Sequence, residues 1–168
     1  MLDSLQIAFL IVFPALVIVA ALWDATSMTI PNWISAALVV AFAPAALLCG
    51  ASWAQIGLSF GLGLAALAVG AAMFALRWIG GGDAKLLAAS MLWLGVSGAA
   101  PFLFWTALAG GALSLGLIGA RRAYGFIGVP VRQAWLGRLL APAGDIPYGV
   151  AIAAGALAAF PHSILAAA

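Results

Sequence analysis

Residues 5–23 read LQIAFLIVFPALVIVAALW, without a single Lys, Arg, Asp or Glu, and residues 24–32 that follow read DATSMTIPN. A bilayer crossing needs about 20 mostly apolar residues, so 5–23 predicts a membrane helix that stops just before Asp24. The run lacks the basic start of a secretory leader and further apolar runs come after it, which makes it a retained first helix. The same pattern recurs at 33–49, 55–76, 85–99, 101–120 and 147–167, so the expected fold is an all-α polytopic bundle of about six spans. The fourth and fifth are separated only by Ser97, Gly98 and Pro101. Composition allows no other solvent. Of 168 residues, 67% are hydrophobic and 6% charged, whereas a water-facing surface needs roughly a quarter to a third of its residues charged. Disorder is excluded as well, because disordered chains are poor in the apolar residues that dominate here.

The positions of the few charges set the expected orientation. With six spans, Arg77, Lys85, Arg121, Arg122, Arg132 and Arg138 all fall on one side. By the positive-inside rule that side is cytoplasmic, and both termini lie outside. One span more or fewer in the middle would separate Arg77 from the 121–138 cluster. Gly57 with Gly61, and Gly110 with Ser114, are small-xxx-small pairs of the kind that let helices pack closely, and ordinary packing within the bundle is expected of them. Residues 121–146 interleave four Arg with Tyr124, Phe126, Trp135 and Leu136, as in a stretch that lies on an anionic leaflet or docks a partner. Cys49 is the lone cysteine; it reads as a small apolar residue of a span. Neither a disulfide, a metal site nor a cofactor is expected, and a pI near 9.2 on so few charges is no sign of nucleic-acid binding.

Acids are scarcer still: Asp3, Asp24, Asp83 and Asp145. An ionisable group costs about 2.5–3.5 kcal/mol at the centre of a membrane helix, so each one near a span invites a functional reading. Asp3 reads as a solvated or capping group at the outer end. The other three map to the basic side. Asp24 stands at a helix C-terminus, where the macrodipole disfavours a carboxylate. Asp83 closes IGGGD before the fourth span and Asp145 precedes the sixth, so helix capping explains either one taken alone. Gly80, Gly81 and Gly82 point further, because a glycine run leaves backbone open to a second, extended chain. Two carboxylates on separate loops at one face suggest a dyad sharing a proton, able to activate water and to protonate a leaving amine. The sole His162 lies near the opposite end, so a Ser-His or Cys-His site has no partner.

These residues resemble two signature blocks of the type IV prepilin peptidases. Asp24 with Ile30-Pro31-Asn32 matches the first block, and Gly80-Gly81-Gly82-Asp83-Ala84-Lys85 fits GxGDxK. Ile146-Pro147-Tyr148-Gly149 is similar to the element that opens the last helix in that family, and the chain looks like the short form of tight-adherence (Flp-type) pilus systems. The resemblance implies an aspartic endopeptidase of the bacterial inner membrane that removes a short basic leader from prepilins or pseudopilins at the cytoplasmic face. It implies Asp24 and Asp83 as the catalytic pair, with Ile30, Pro31, Asn32, Gly80, Gly82 and Lys85 in support. Its implied partners are those substrates, membrane lipids and pilus-assembly machinery. Longer relatives carry paired cysteines in an extra domain linked to methylation, so residues 1–168 are expected to form one peptidase domain without a methyltransferase or zinc domain. Residues 25–29 are neutral, where many relatives have basic residues. Three other readings compete: a presenilin-like GxGD intramembrane protease, a small transporter, and a non-catalytic assembly subunit. The first is disfavoured by Trp23 before Asp24 and by Pro31-Asn32 after it, the second by the lack of an acid inside any predicted span, and the third needs neither aspartate.

Overall fold

The computed structural model describes residues 4–127, 133–142, 144–163 and 165–166. Its helices are α1 (Ser4–Ser27), α2 (Asn32–Leu48), α3 (Trp53–Ala75), α4 (Gly81–Ile127), α5 (Ala134–Leu140) and α6 (Tyr148–Ala159), the last continued by a 3-10 turn, Phe160–His162. Among the described residues there is no strand. Three helices are long and apolar enough to cross a membrane, Ser4–Ser27, Trp53–Ala75 and Gly81–Gly125, and Asn32–Leu48 and Tyr148–His162 are shorter apolar helices. The protein is an integral membrane helix bundle, a form in which each helix satisfies its own backbone away from water.

α4 is two helices in sequence. Gly95 interrupts it with φ 64° and ψ −169°, a conformation open to glycine and strained for other residues. Before that point, Ala84 packs beside Gly70 and Leu92 beside Gly63, so the first arm runs antiparallel to α3. After it, Gly98 lies by Ala159 and Gly110 by the Tyr148 hydroxyl, so the second arm runs antiparallel to α6. The chain therefore turns back at Gly95. This preserves six apolar segments and moves the expected break from 97–101 to 95. Pro101 does not end a helix: it is carried inside the second arm, as Pro14 and Pro44 are inside α1 and α2. Neighbouring groups in a membrane bundle can re-satisfy the carbonyl that a proline frees.

The core forms around Trp93, at the end of the first arm. Phe13 stacks on it with ring centroids 5.2 Å apart, Phe42 meets it edge-on at 5.9 Å, and Phe160 in turn stacks on Phe13. The Trp93 indole N–H donates to the Leu38 carbonyl at 2.8 Å, so this buried donor is satisfied. Between lipid-soaked helices there is no hydrophobic drive to associate, and close packing and such hydrogen bonds hold the bundle instead. Ser52 and Gln55 form a reciprocal capping box at the start of α3, which supplies two of the helix's unsatisfied N–H groups with acceptors.

The small residues divide unexpectedly. Gly110 accommodates Tyr148, as expected of a packing glycine, but a Cβ at Gly57 or Gly61 would meet nothing within 4 Å. That pair faces away from the bundle, so packing within the chain does not explain it. Among the described residues the tightest glycine is Gly155, where a Cβ would overlap both side chain and backbone of Thr106. Gly155→Leu should therefore cost more than the usual ~1–3 kcal/mol of overpacking. Its measure is a lower thermal midpoint and a smaller monodisperse fraction of detergent-solubilised protein.

Candidate active site

Asp24 lies in the last turn of α1, which continues to Ser27 rather than ending at residue 23. Its side chain is buried, and Oδ2 accepts a hydrogen bond from the Gly149 N–H at 2.8 Å. That donor belongs to the first turn of α6, where backbone N–H groups lack helical partners and the dipole favours an anion. The first turn of α6 thus supplies what the C-terminal position in α1 withholds. The contact requires glycine: a Cβ at 149 would stand 2.8 Å from Asp24 Oδ2 and 2.7 Å from Ile30 Cδ1.

Asp83 occupies the third position of α4 and is not its N-cap residue. From there Oδ2 accepts the Gly80 N–H at 3.3 Å, the backward-reaching half of a capping box. Ile30 joins the two aspartate segments. It touches Gly149 on one side, and on the other its Cβ would lie 3.0 Å from a Cβ at Gly82. Ile30 is thus wedged between two glycines, and a side chain at either would push the loops apart.

Asp24 and Asp83 line one cavity of about 610 Å³ at the end of the bundle, together with Met28, Arg77, Gly80 and Tyr148. They are near enough for the charge of Asp24 to act on Asp83. Each carboxylate uses Oδ2 on a backbone donor, which leaves Oδ1 for whatever enters. A cavity of this size suits a short length of extended chain.

Arg77 and Met28 were not legible as site residues. Both follow a helix end in the left-handed conformation, with φ 59° and 56°. The Arg77 turn is a Schellman motif: the Trp78 N–H donates to Met73 O and the Arg77 N–H to Phe74 O, each at 2.9 Å. At the other end of the bundle the same kind of turn, after α2, uses Gly50 at φ 75°. Left-handed backbone costs roughly 1–2 kcal/mol at a residue with a Cβ, and here two such residues both present side chains to the cavity. No sequence signal marks them, because their conformation comes from the turn.

Asp145 also lines the cavity, but the expected capping role fails: α6 is preceded by Pro147 and has no side-chain cap. The Asp145 carbonyl instead accepts from Arg121 Nη2 at 2.8 Å, while Arg121 Nε donates to Leu139 O at 2.9 Å. Arg138 donates to Thr26 O at 3.0 Å, two residues beyond Asp24. Arg138 thus ties α5 to the end of α1, and Arg121 ties the end of α4 to residues 139 and 145. Asp3, Arg132 and part of the 121–146 region lie outside the described residues. Arg77, Lys85, Arg121, Arg122 and Arg138 share the aspartates' end, and His162 is at the far end beside Phe160. Among the described residues no cluster of three His, Cys, Asp or Glu could hold a metal.

The supporting motif residues separate into two groups. Gly80, Gly82 and Ile30 shape the aspartate loops, whereas Lys85 and Asn32 turn to another face, where Lys85 Nζ donates to Asn32 Oδ1 at 2.8 Å. Pro31 precedes α2 with φ −62°, the angle its ring fixes.

Compared with known families, the sequence matches the type IV leader peptidase family over residues 11–115. The chain belongs to that family. The matched stretch contains Asp24, the Ile30-Pro31-Asn32 block and Gly80 to Lys85, while the α6 element that holds Asp24 lies beyond it. No curated protein and no solved structure matches the chain. As a family member it is a membrane protein of the leader-peptidase type.

Proposed function

We propose that this protein is an aspartic endopeptidase that removes the leader from Flp-type prepilins or pseudopilins at the cytoplasmic face of the bacterial inner membrane. The observation that carries the reading is the convergence of Asp24 and Asp83 on one cavity, each anchored through a single oxygen. Two such carboxylates do not both ionise cheaply, so one proton is shared between them. The ionised member takes a proton from water as that water attacks the scissile carbonyl, and the protonated member gives its proton to the departing amine. The pair titrates as a unit, so acid and base roles belong to the dyad. Clustering of the basic side chains at this end supports a cytoplasmic placement.

The test is co-expression with a candidate prepilin bearing a short basic leader, followed by the mass of the mature N-terminus. Loss of the leader is expected with the wild-type chain and not with an empty vector. Asp145→Asn should retain most processing, within about fivefold, because Asp145 is exposed at the cavity and its described hydrogen bond uses the backbone carbonyl, which Asn keeps.

A further inference from the structure

A second concavity lies on the membrane-facing side, between α2 and α3. α3 packs on α4 and makes little contact with any other helix, which leaves a groove floored by Ala88 and Ala89 of the first arm of α4. Its volume is about 640 Å³, and Val39, Val40, Leu64 and Leu67 form apolar walls exposed to lipid. Asn32 and Lys85 stand at its head, at the same end of the bundle as the aspartates. Lys85 is exposed and donates its one described hydrogen bond to Asn32. A turn below, Ser35 lines the groove with only 7% of its surface accessible, and its Oγ has no hydrogen-bond partner. An unpartnered buried hydroxyl calls for a ligand acceptor or donor.

We propose that this groove binds one anionic phospholipid, its phosphate at Lys85, its ester region at Ser35 and an acyl chain along Val39, Val40, Leu64 and Leu67. Charge and length both select this occupant. The head carries a cation without a carboxylate partner among the described residues. From Asn32 to Val40 the groove runs about 12 Å along α2, close to the ~15 Å depth of one leaflet. Farther down, Phe42 and Phe60 meet edge-on at 5.5 Å between the two helices. A membrane-spanning substrate helix needs a track of about 30 Å, which that contact interrupts. The inference stands apart from the peptidase reading, since it concerns another face of α4.

Native mass spectrometry of the detergent-solubilised protein, titrated with phosphatidylglycerol and with phosphatidylcholine of identical chains, tests it. The expected result is one phosphatidylglycerol retained in preference to phosphatidylcholine. One basic side chain near an anionic lipid accounts for about a fivefold preference, which Lys85→Gln should remove. Ala36→Phe, an exposed position that fills the groove, should weaken retention of both lipids. Equal retention of the two lipids by the wild-type chain overturns the proposal, as does unchanged binding in both variants. So does a photo-crosslinker at Leu64 that captures the co-expressed prepilin instead of phospholipid.

Discussion

Asp24→Asn and Asp83→Asn should each lower leader removal by at least about 10²-fold and as much as 10⁴-fold, the range expected when a general acid or base is lost. The substitutions suit the question because Asn keeps the shape of Asp and can still accept a hydrogen bond from the Gly149 or Gly80 N–H that holds each side chain. The bundle should therefore persist, and a thermal midpoint near that of the wild type would show that chemistry rather than folding was removed. Residues that act as one unit are strongly non-additive, so the double variant should be little slower than either single one. The measurement is the initial rate of appearance of mature pilin with purified peptidase in lipid. Either single variant processing at more than a tenth of the wild-type rate would dismiss the dyad.

The second large effect is expected at Gly149, a residue with no side chain and no role in proton transfer. A Cβ there would press on Asp24 Oδ2 and on Ile30 at distances well inside contact. Asp24 must then give up the Gly149 N–H or move toward the cavity. A displacement near 1 Å at a reacting group can cost about 10²-fold in rate, so Gly149→Ala should lose activity on that scale while the chain still folds. The partner variant separates the two contacts. Ile30→Val removes Cδ1 and leaves the conflict with Asp24, so the pair Ile30→Val with Gly149→Ala should regain only part of the lost rate. Full recovery would mean that the Ile30 wedge, and not the Asp24 anchor, carries the effect. The readout is kcat against KM: a change confined to KM would place Gly149 in substrate binding alone.

How legible the site was depends on the kind of interaction. Asp24, Asp83 and the glycines before Asp83 stand out because charge and chain-breaking residues are rare in apolar helices, where each one needs a reason. Gly149 as the donor to Asp24 was not readable, since the pairing joins positions 125 residues apart. Local pattern offered capping as the plain reading of both Asp83 and Asp145, and the structure gives Asp83 only the backward half of a capping box and Asp145 no capping role. Asp83 sits three positions into its helix, and Asp145 contributes its carbonyl to Arg121. Local pattern shows that a polar residue lies near a helix start, but the exact first turn depends on how the preceding loop is packed.

The sequence by itself determined that this chain is an all-helical membrane bundle of about six apolar segments and that its described cations and key acids share one end, because transfer of charge into a bilayer core is costly enough to act residue by residue. Only the tertiary structure decided that the chain reverses at Gly95, that Gly57 and Gly61 face outward, that Arg77 and Met28 line the aspartate cavity and that Lys85 heads a separate groove. Those outcomes depend on which helix faces meet. In a membrane that choice is made by close packing and hydrogen bonds between distant segments, which hydropathy does not encode.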